Sequence, residues 1–411
     1  MTPALTIAPK KAKHDHVISA NSRVVRNINR GVILNVIRER QPISRATIAR
    51  TTRLNKSTVS SIVSSLLKED LVSEEFEKIA TVGRNPINLR LKKGMNLYGA
   101  ISFDSAATRV AVVDVDGTIV YTDKIKTDLL PPDEFIASCL RSLAGLRTQH
   151  RLPSFKGVGI SVAGIVDASQ SKVIFAPHLK WENLNIGELI AKSFPDVGII
   201  AVENDAKAAA LAELWFGRQN INLSNFVFLS VGRGIGTGIV IDRRILNGES
   251  HLAGEFGHMV LVDGGERCAC GNFGCWEAYA SDRATVARFA AAKHLGADDA
   301  ARLTIDDVIV AAKANDPVAI AELKTSGRYL GIGIANVIKA VDPGAIIIGG
   351  HITRVWDLVA AEIMEASRKH SFFTEREGIP ILPTSLVRRP SLLGAAALAQ
   401  RKFFGDVRVT V

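Results

Sequence analysis

Between Gly254 and Glu277 the chain gathers one histidine and three cysteines: Gly254-Glu255-Phe256-Gly257-His258, then Cys268-Ala269-Cys270-Gly271-Asn272-Phe273-Gly274-Cys275-Trp276-Glu277. Three thiolates and an imidazole form a tetrahedral donor set suited to Zn2+, and the glycines permit the sharp turns between them. Protein groups at His258, Cys268, Cys270 and Cys275 fill all four positions, so the zinc is expected to be structural, with no place left for a catalytic water. A second acidic motif, Glu203-Asn204-Asp205, follows a buried-looking strand at 198–202 and opens an alanine-rich helix at 206–213. By the usual rule for α/β sheets, such a strand end faces the ligand crevice. Asp205 could take a proton from a substrate hydroxyl or accept a hydrogen bond from it. Asn204 or Asp205 can also be read as a plain helix cap. If zinc takes one ring nitrogen of His258, the other is free for a ligand. Asn204, Asp205, Glu255, His258 and Glu277 then make a ring of acceptors with few donors. That ring suits a neutral polyhydroxyl ligand such as a sugar, and its three carboxylates would repel a strongly anionic one.

Two similar units are expected to position these groups. A strand at Leu97–Phe103 is followed by the loop Asp104-Ser-Ala-Ala-Thr108, a strand at Arg109–Asp114, an Asp116-Gly117 turn and a strand at Thr118–Tyr121. The pattern recurs about 125 residues later. There it reads Phe226–Val231, Gly232-Arg-Gly-Ile-Gly236, Thr237–Ile241 and an Asp242-Arg243-Arg244 turn. Duplicated strand–loop–strand–turn–strand units imply an α/β body of two lobes around a cleft. Gly232, Gly234, Gly236 and Gly238 suit a phosphate cradle, or equally a tight hairpin needing positive φ. The first loop carries Ala106-Ala107 where close approach of a phosphate wants glycine, so it is unfit for ATP.

The first quarter has a different character. Residues 1–93 hold 18 Lys and Arg against 7 Asp and Glu, whereas 94–411 hold 33 against 34, so the whole of the formal +10 excess sits at one end. A basic module on a neutral body points to a dedicated nucleic-acid contact. Residues 1–20 lack periodicity and read as a flexible tail. Val25, Ile28, Val32 and Val36 then give helical spacing up to Gln41-Pro42. Ser44 can cap a short helix at 44–51, and a third helix begins near Lys56. Val59, Ile62, Val63, Leu66 and Leu67 form its apolar stripe. Its opposite face bears Ser57, Thr58, Ser60, Ser61, Ser64 and Ser65, short hydroxyls that let a helix lie close to DNA. Two helices across a tight turn, the second with a small polar face, make a helix-turn-helix. Leu71-Val72 and the alternating Ile87, Leu89, Leu91 read as wing strands, with Gly83-Arg84-Asn85-Pro86 at the tip, where an arginine can enter a narrow minor groove. Arg45, Lys56, Ser57, Thr58, Ser60, Ser61, Arg84 and Asn85 are therefore the candidate DNA contacts.

With 47% hydrophobic and 22% charged residues, the 411-residue chain is not disordered. No apolar run approaches a membrane span and the first twenty residues lack a signal core, so a cytoplasmic protein without membrane partners is expected.

The motifs GEFGH and CACGNFGCWE at 254–277, with ENDA at 203–206, GRGIGTG at 232–238 and Asp342-Pro-Gly-Ala-Ile-Ile-Ile-Gly349-Gly350, resemble the ROK family of sugar kinases and sugar-responsive repressors. The resemblance runs from about residue 22, and the winged helix-turn-helix marks the repressor branch. It implies a duplicated actin-like (hexokinase-like, ribonuclease H-like) fold with a winged helix-turn-helix domain at 21–93 and a body at 94–411. The body's lobes would be 97–200 plus the C-terminal helix, and 201–387. It also implies sugar contacts from Asn204, Asp205, Glu255, His258 and Glu277, zinc on His258 and the three cysteines, and the kinase-base position at Asp205. Ser105-Ala106-Ala107 departs from the family's glycine-containing first loop and Arg233 from the commoner threonine of the second, which argues against phosphoryl transfer. The implied protein is a homodimeric or homotetrameric repressor of carbohydrate-metabolism genes, bound to operator DNA and controlled by a sugar. The alternative is an active ATP-dependent sugar kinase with an added DNA-binding module.

Overall fold

A computed structural model describes residues 22–76, 87–104, 107–127, 130–219, 223–372, 378–386 and 389–405. The tail at 1–20 and the wing tip with Arg84 and Asn85 lie outside them, as does Ala106. The chain divides into two units: Met1–Arg90 with Phe404–Val411, and Leu91–Phe403. The last residues, expected with the body, thus belong to the first unit, and the chain crosses between units twice.

In the first unit, α1 (Ser22–Arg40), α2 (Arg45–Thr52) and α3 (Lys56–Lys68) pack around Ile33, Ile37, Ile48, Val59, Val63 and Leu66. The helix starts follow local chemistry. Ser44 accepts a hydrogen bond from Thr47 N, and Asn55 accepts one from Thr58 N, each satisfying an orphan amide of the following helix. Arg53 takes the left-handed conformation that closes α2. Strands β1 (Ile43–Ser44), β2 (Val72–Phe76) and β3 (Ile87–Leu91) form a sheet in the order β1-β3-β2. The apolar spacing along α1 misleads at one end. Val32 and Val36 are buried, but Val25 and Ile28 are 42% and 43% exposed, because the first two turns run past the three-helix core.

The second unit begins with the meander β4 (Leu97–Phe103), β5 (Ala107–Asp114) and β6 (Ile119–Lys126). It continues through α4 (Pro132–Gln149), β7 (Val158–Val162), a small sheet of β8 (Ile165–Asp167), β9 (Lys172–Ala176) and β10 (Trp181–Leu184), then α5 (Ile186–Ser193) and β11 (Ile200–Asn204). Helix α6 (Asp205–Phe216) leads to a second meander, β12 (Phe226–Val231), β13 (Ile235–Ile241) and β14 (Arg244–Ile245). After the cysteine loop come α7 (Glu277–Ala280), α8 (Asp282–Ala292), α9 (Ala297–Arg302), α10 (Ile305–Lys313) and α11 (Pro317–Val341). The chain ends with β15 (Ile346–Gly350), α12 (Trp356–Lys369), β16 (Ile381–Pro383) and α13 (Pro390–Phe404).

The two large sheets repeat one topology. The first has the order β11-β7-β4-β5-β6 and the second, read from its opposite edge, β16-β15-β12-β13-β14. In each, an antiparallel meander is extended by two parallel strands. This is the duplicated, actin-like α/β fold. Ile101, Val110, Phe135, Leu143 and Ile160 lie in the core of the first lobe, Leu229, Trp276, Leu330, Ile334 and Ile348 in that of the second. Helix α6 is alanine-rich because it has no room for more: a Cβ on Gly236 would lie 2.8 Å from Ala206 Cβ, one on Gly238 2.6 Å from Ala210 Cβ, and one on Gly394 of α13 2.0 Å from Ala208 O.

Candidate functional site

Asp205 is the first residue of α6, at the C-terminal end of the parallel strand β11, and is half-buried. Its carboxyl is pushed up to about 7 by burial, partly opposed by the Ala206 amide, with Asp104 and Glu255 adding like charge. Asp104 directly follows the first sheet's β4, and Glu255 follows the second sheet's β14, so the cleft brings carboxylates of both lobes within electrostatic reach. A group that titrates near neutrality can meet a sugar hydroxyl as acceptor or, protonated, as donor. Asn204, by contrast, is committed to the backbone. Its Oδ1 accepts from Ala206 N at 2.9 Å and Lys207 N at 3.1 Å, and its Nδ2 donates to Gly164 O at 3.0 Å.

The segment carrying Glu255 and His258 is pressed onto β13. A Cβ on Gly257 would stand 2.1 Å from Ile235 O, so glycine is required there. Thr237 Oγ1 donates to Gly254 O, and His258 N donates to Glu255 O at 3.1 Å. His258 and Glu255 are exposed, and Glu277 is half-buried. His258 Nδ1 lies 3.7 Å from Cys268 Sγ, and Cys270 Sγ lies 3.8 Å from Cys275 Sγ. All four donor atoms of His258, Cys268, Cys270 and Cys275 fall within 4.8 Å of one another. A tetrahedron with bonds of about 2.3 Å to sulfur has edges of about 3.8 Å, so the set fits a tetrahedral metal. Burial raises the Cys268 and Cys275 thiols, and a cation is what would offset that cost for thiolates. With Nδ1 turned to the cluster, Nε2 of His258 remains for a ligand.

Glu277 links this cluster to the second glycine loop. Its Oε2 accepts from Ile235 N at 3.0 Å, and the Cys268 thiol donates to its Oε1 at 3.8 Å. A Cβ on Gly234 would sit 2.3 Å from Oε2. None of Gly232, Gly234, Gly236 and Gly238 has positive φ. Gly234, Gly236 and Gly238 are required by close packing against Glu277 and α6, not by a hairpin turn. In the first loop Ala107 is already the first residue of β5, 8% exposed and paired with Lys126, rather than part of the loop.

Two polar groupings escaped sequence reading because their members are far apart in the chain. Buried Lys207 donates to His251 O at 3.0 Å, while His251 Nε2 approaches buried Asp167 Oδ2 at 3.5 Å, tethering the segment just before Glu255. Beside Gly232, whose carbonyl accepts from Asp282 N at 2.8 Å, buried Asp282 pairs with His351 Nδ1 at 2.7 Å. His351 follows Gly350, where a Cβ would strike Val231 O at 1.7 Å.

In the first unit, Lys56, Ser57, Ser61, Ser64 and Lys68 form the exposed face of α3, and Thr58 and Ser60 are half-buried. Ser57 Oγ donates to Asn55 Oδ1 at 2.9 Å. Arg45 is held by Glu74 of β2 at 2.7 Å.

The profile described as the ROK family matches residues 98–402. The xylose repressor of Bacillus subtilis is 31% identical over 390 residues, 92% of this chain and 96% of its own. The crystal structure of a ROK family transcriptional regulator, a homologue of the Escherichia coli MLC protein, superposes with TM-score 0.79 at 27% identity, covering 92% of this chain and 97% of that one. A ROK family glucokinase from Streptomyces griseus, in complex with glucose and AMPPNP, gives TM-score 0.66 at 31% identity, covering 74% of this chain and all of its own.

Proposed function

This chain belongs to the ROK family, and from that premise we propose that it is a transcriptional repressor whose hold on operator DNA is set by a sugar bound in its body. The observation that carries this reading is one of coverage. The glucokinase accounts for 74% of the chain and the regulators for 92%, so the kinase lacks the quarter that bears the basic charge and α3. The effector is a neutral sugar held by Asp205, Glu255, His258 and Glu277, with Asn204 shaping the site as the cap of α6. Zinc on His258, Cys268, Cys270 and Cys275 fixes the His258 ring and, through Glu277, the glycine loop. Lys56, Ser57, Ser60 and Ser61, with Arg84 and Asn85 of the wing, meet the operator; Thr58 and Arg45 support them through the helix start and Glu74. The protein acts as a homodimer or homotetramer in the cytoplasm, two copies presenting their modules to a palindromic site. Sugar acts through its different affinity for the DNA-competent and DNA-incompetent states.

Phosphoryl transfer is the second reading, favoured by the glucokinase likeness. Against it, Ala106 stands in the first loop where close approach of a phosphate wants glycine. A coupled assay with ATP and a sugar panel beginning with xylose and glucose decides between them. Turnover above about 1 s⁻¹ would make the protein a kinase. For the repressor reading, D205N and E255Q are expected to bind DNA normally while losing the sugar response in gel shifts; an intact response in both would overturn the site assignment.

A further inference from the structure

The first two turns of α1 overhang the core and run alongside the N-terminal half of α3, leaving a groove of about 430 Å³ between the helices. Ser22, Arg26 and Asn29 of α1 and Ser57, Thr58 and Ser61 of α3 line it, and the rest of the lining is apolar. Every polar lining residue can donate a hydrogen bond, one is a cation, and none is a carboxylate. Arg26 is exposed and has no carboxylate partner among the described residues. Glu69, the acidic residue at the far end of α3, is already taken by Arg30 at 2.7 Å and Ser65 Oγ at 2.9 Å. No acidic residue stands in the first turn of either helix. A cation with clustered neutral donors and no competing anion complements a phosphodiester. The groove opens beside Ser57 and Ser61, on the exposed face of α3, so an anion there lies at the flank of any duplex that α3 reads.

We propose that this groove seats a backbone phosphate of duplex DNA, with Arg26 as its cation and Ser22, Asn29 and Ser61 as donors. The first two turns of α1 then belong to the DNA interface, which explains why they extend beyond the core that would otherwise bury Val25 and Ile28. The inference rests on the DNA-binding reading of the module and adds residues that neither the helix-turn-helix pattern nor the wing contains.

Backbone contacts persist on non-specific DNA, so the test needs no operator. Full-length protein is titrated by fluorescence anisotropy with a labelled 30-bp mixed-sequence duplex (about three helical turns) across a range of salt concentrations. Each phosphate contact contributes about 0.9 to the log–log salt slope. R26A is expected to flatten the slope by about that amount and to weaken binding roughly eightfold near 0.1 M salt, while R26K keeps the slope. N29A, which removes a neutral donor, is expected to cost about threefold in affinity with the slope unchanged. If R26A and N29A match the wild type while K56A weakens binding, the inference fails and the DNA-binding reading stands. Unchanged binding in all three, K56A included, would remove that reading as well. Equal weakening by R26A of a labelled poly-glutamate probe would mark a general polyanion contact and likewise overturn the assignment.

Discussion

Asp205 is where the electrostatics of the body concentrate. Burial and the charges of Asp104 and Glu255 hold its carboxyl up to about 7. Ionising it in the folded state costs free energy that the unfolded chain, titrating near 3.8, does not incur. The stability tied to the neutral form is complete below the unfolded value and is lost as pH rises through about 7. Without sugar, the melting temperature of D205N is therefore expected to gain on that of the wild type between pH 5 and 8, measured by thermal shift; parallel profiles would remove the buried-carboxyl account. Sugar hydroxyls that donate to the ionised carboxylate favour that form, so wild-type sugar affinity, measured by calorimetry, is expected to increase as pH rises through about 7. At the cluster of His258 and three cysteines, C275S replaces a fully buried thiol. Metal analysis is expected to find one zinc per wild-type chain and none in C275S, whose melting temperature falls sharply. A variant that retains both zinc and stability would contradict a four-donor structural site.

Among the elements, the helix starts of the basic module rest on two capping side chains. N55A removes the acceptor for Thr58 N at the head of α3 and is expected to cost about 1 kcal/mol in denaturant unfolding. These starts were readable, because Ser44 and Asn55 are residues whose side chains satisfy free amides just before apolar periodicity begins. The strands Leu97–Phe103 and Phe226–Val231 were equally plain, as apolar runs bounded by turn residues. Periodicity has no marker for where a core stops, which is why Val25 and Ile28 look identical in sequence to Val32 and Val36 but are exposed. It also gives no reason for a glycine. Gly234, Gly236 and Gly238 suggested a cradle or a turn, whereas their neighbours Glu277, Ala206 and Ala210 come from other parts of the chain. The cysteine cluster was legible because its three thiols are adjacent in sequence. The Lys207–His251–Asp167 and Asp282–His351 groupings were not, their partners being tens of residues apart.

At the scale of the molecule, charge and fold divide the same way. The excess of basic residues belongs to residues 1–93, while 94–411 are nearly neutral and carry the carboxylate site. Among the described residues, no helix is long and apolar enough to cross a membrane. DNA affinity is expected to fall steeply with salt and sugar affinity to stay nearly constant, because only the first releases counterions. The chain passes between its units at 90/91 and again at 403/404, and α13, which makes the second passage, lies against α6, the helix that Asp205 opens. On the proposed function, sugar binding and DNA binding are coupled in one chain. The most direct measurement is the affinity of the full-length protein for its operator, selected from its genomic DNA, with and without each of a panel of neutral sugars. One sugar is expected to change wild-type operator affinity by about tenfold or more, a coupling of ordinary allosteric size, and to leave D205N unmoved. An operator affinity indifferent to every sugar would mean that no sugar in the panel controls DNA binding.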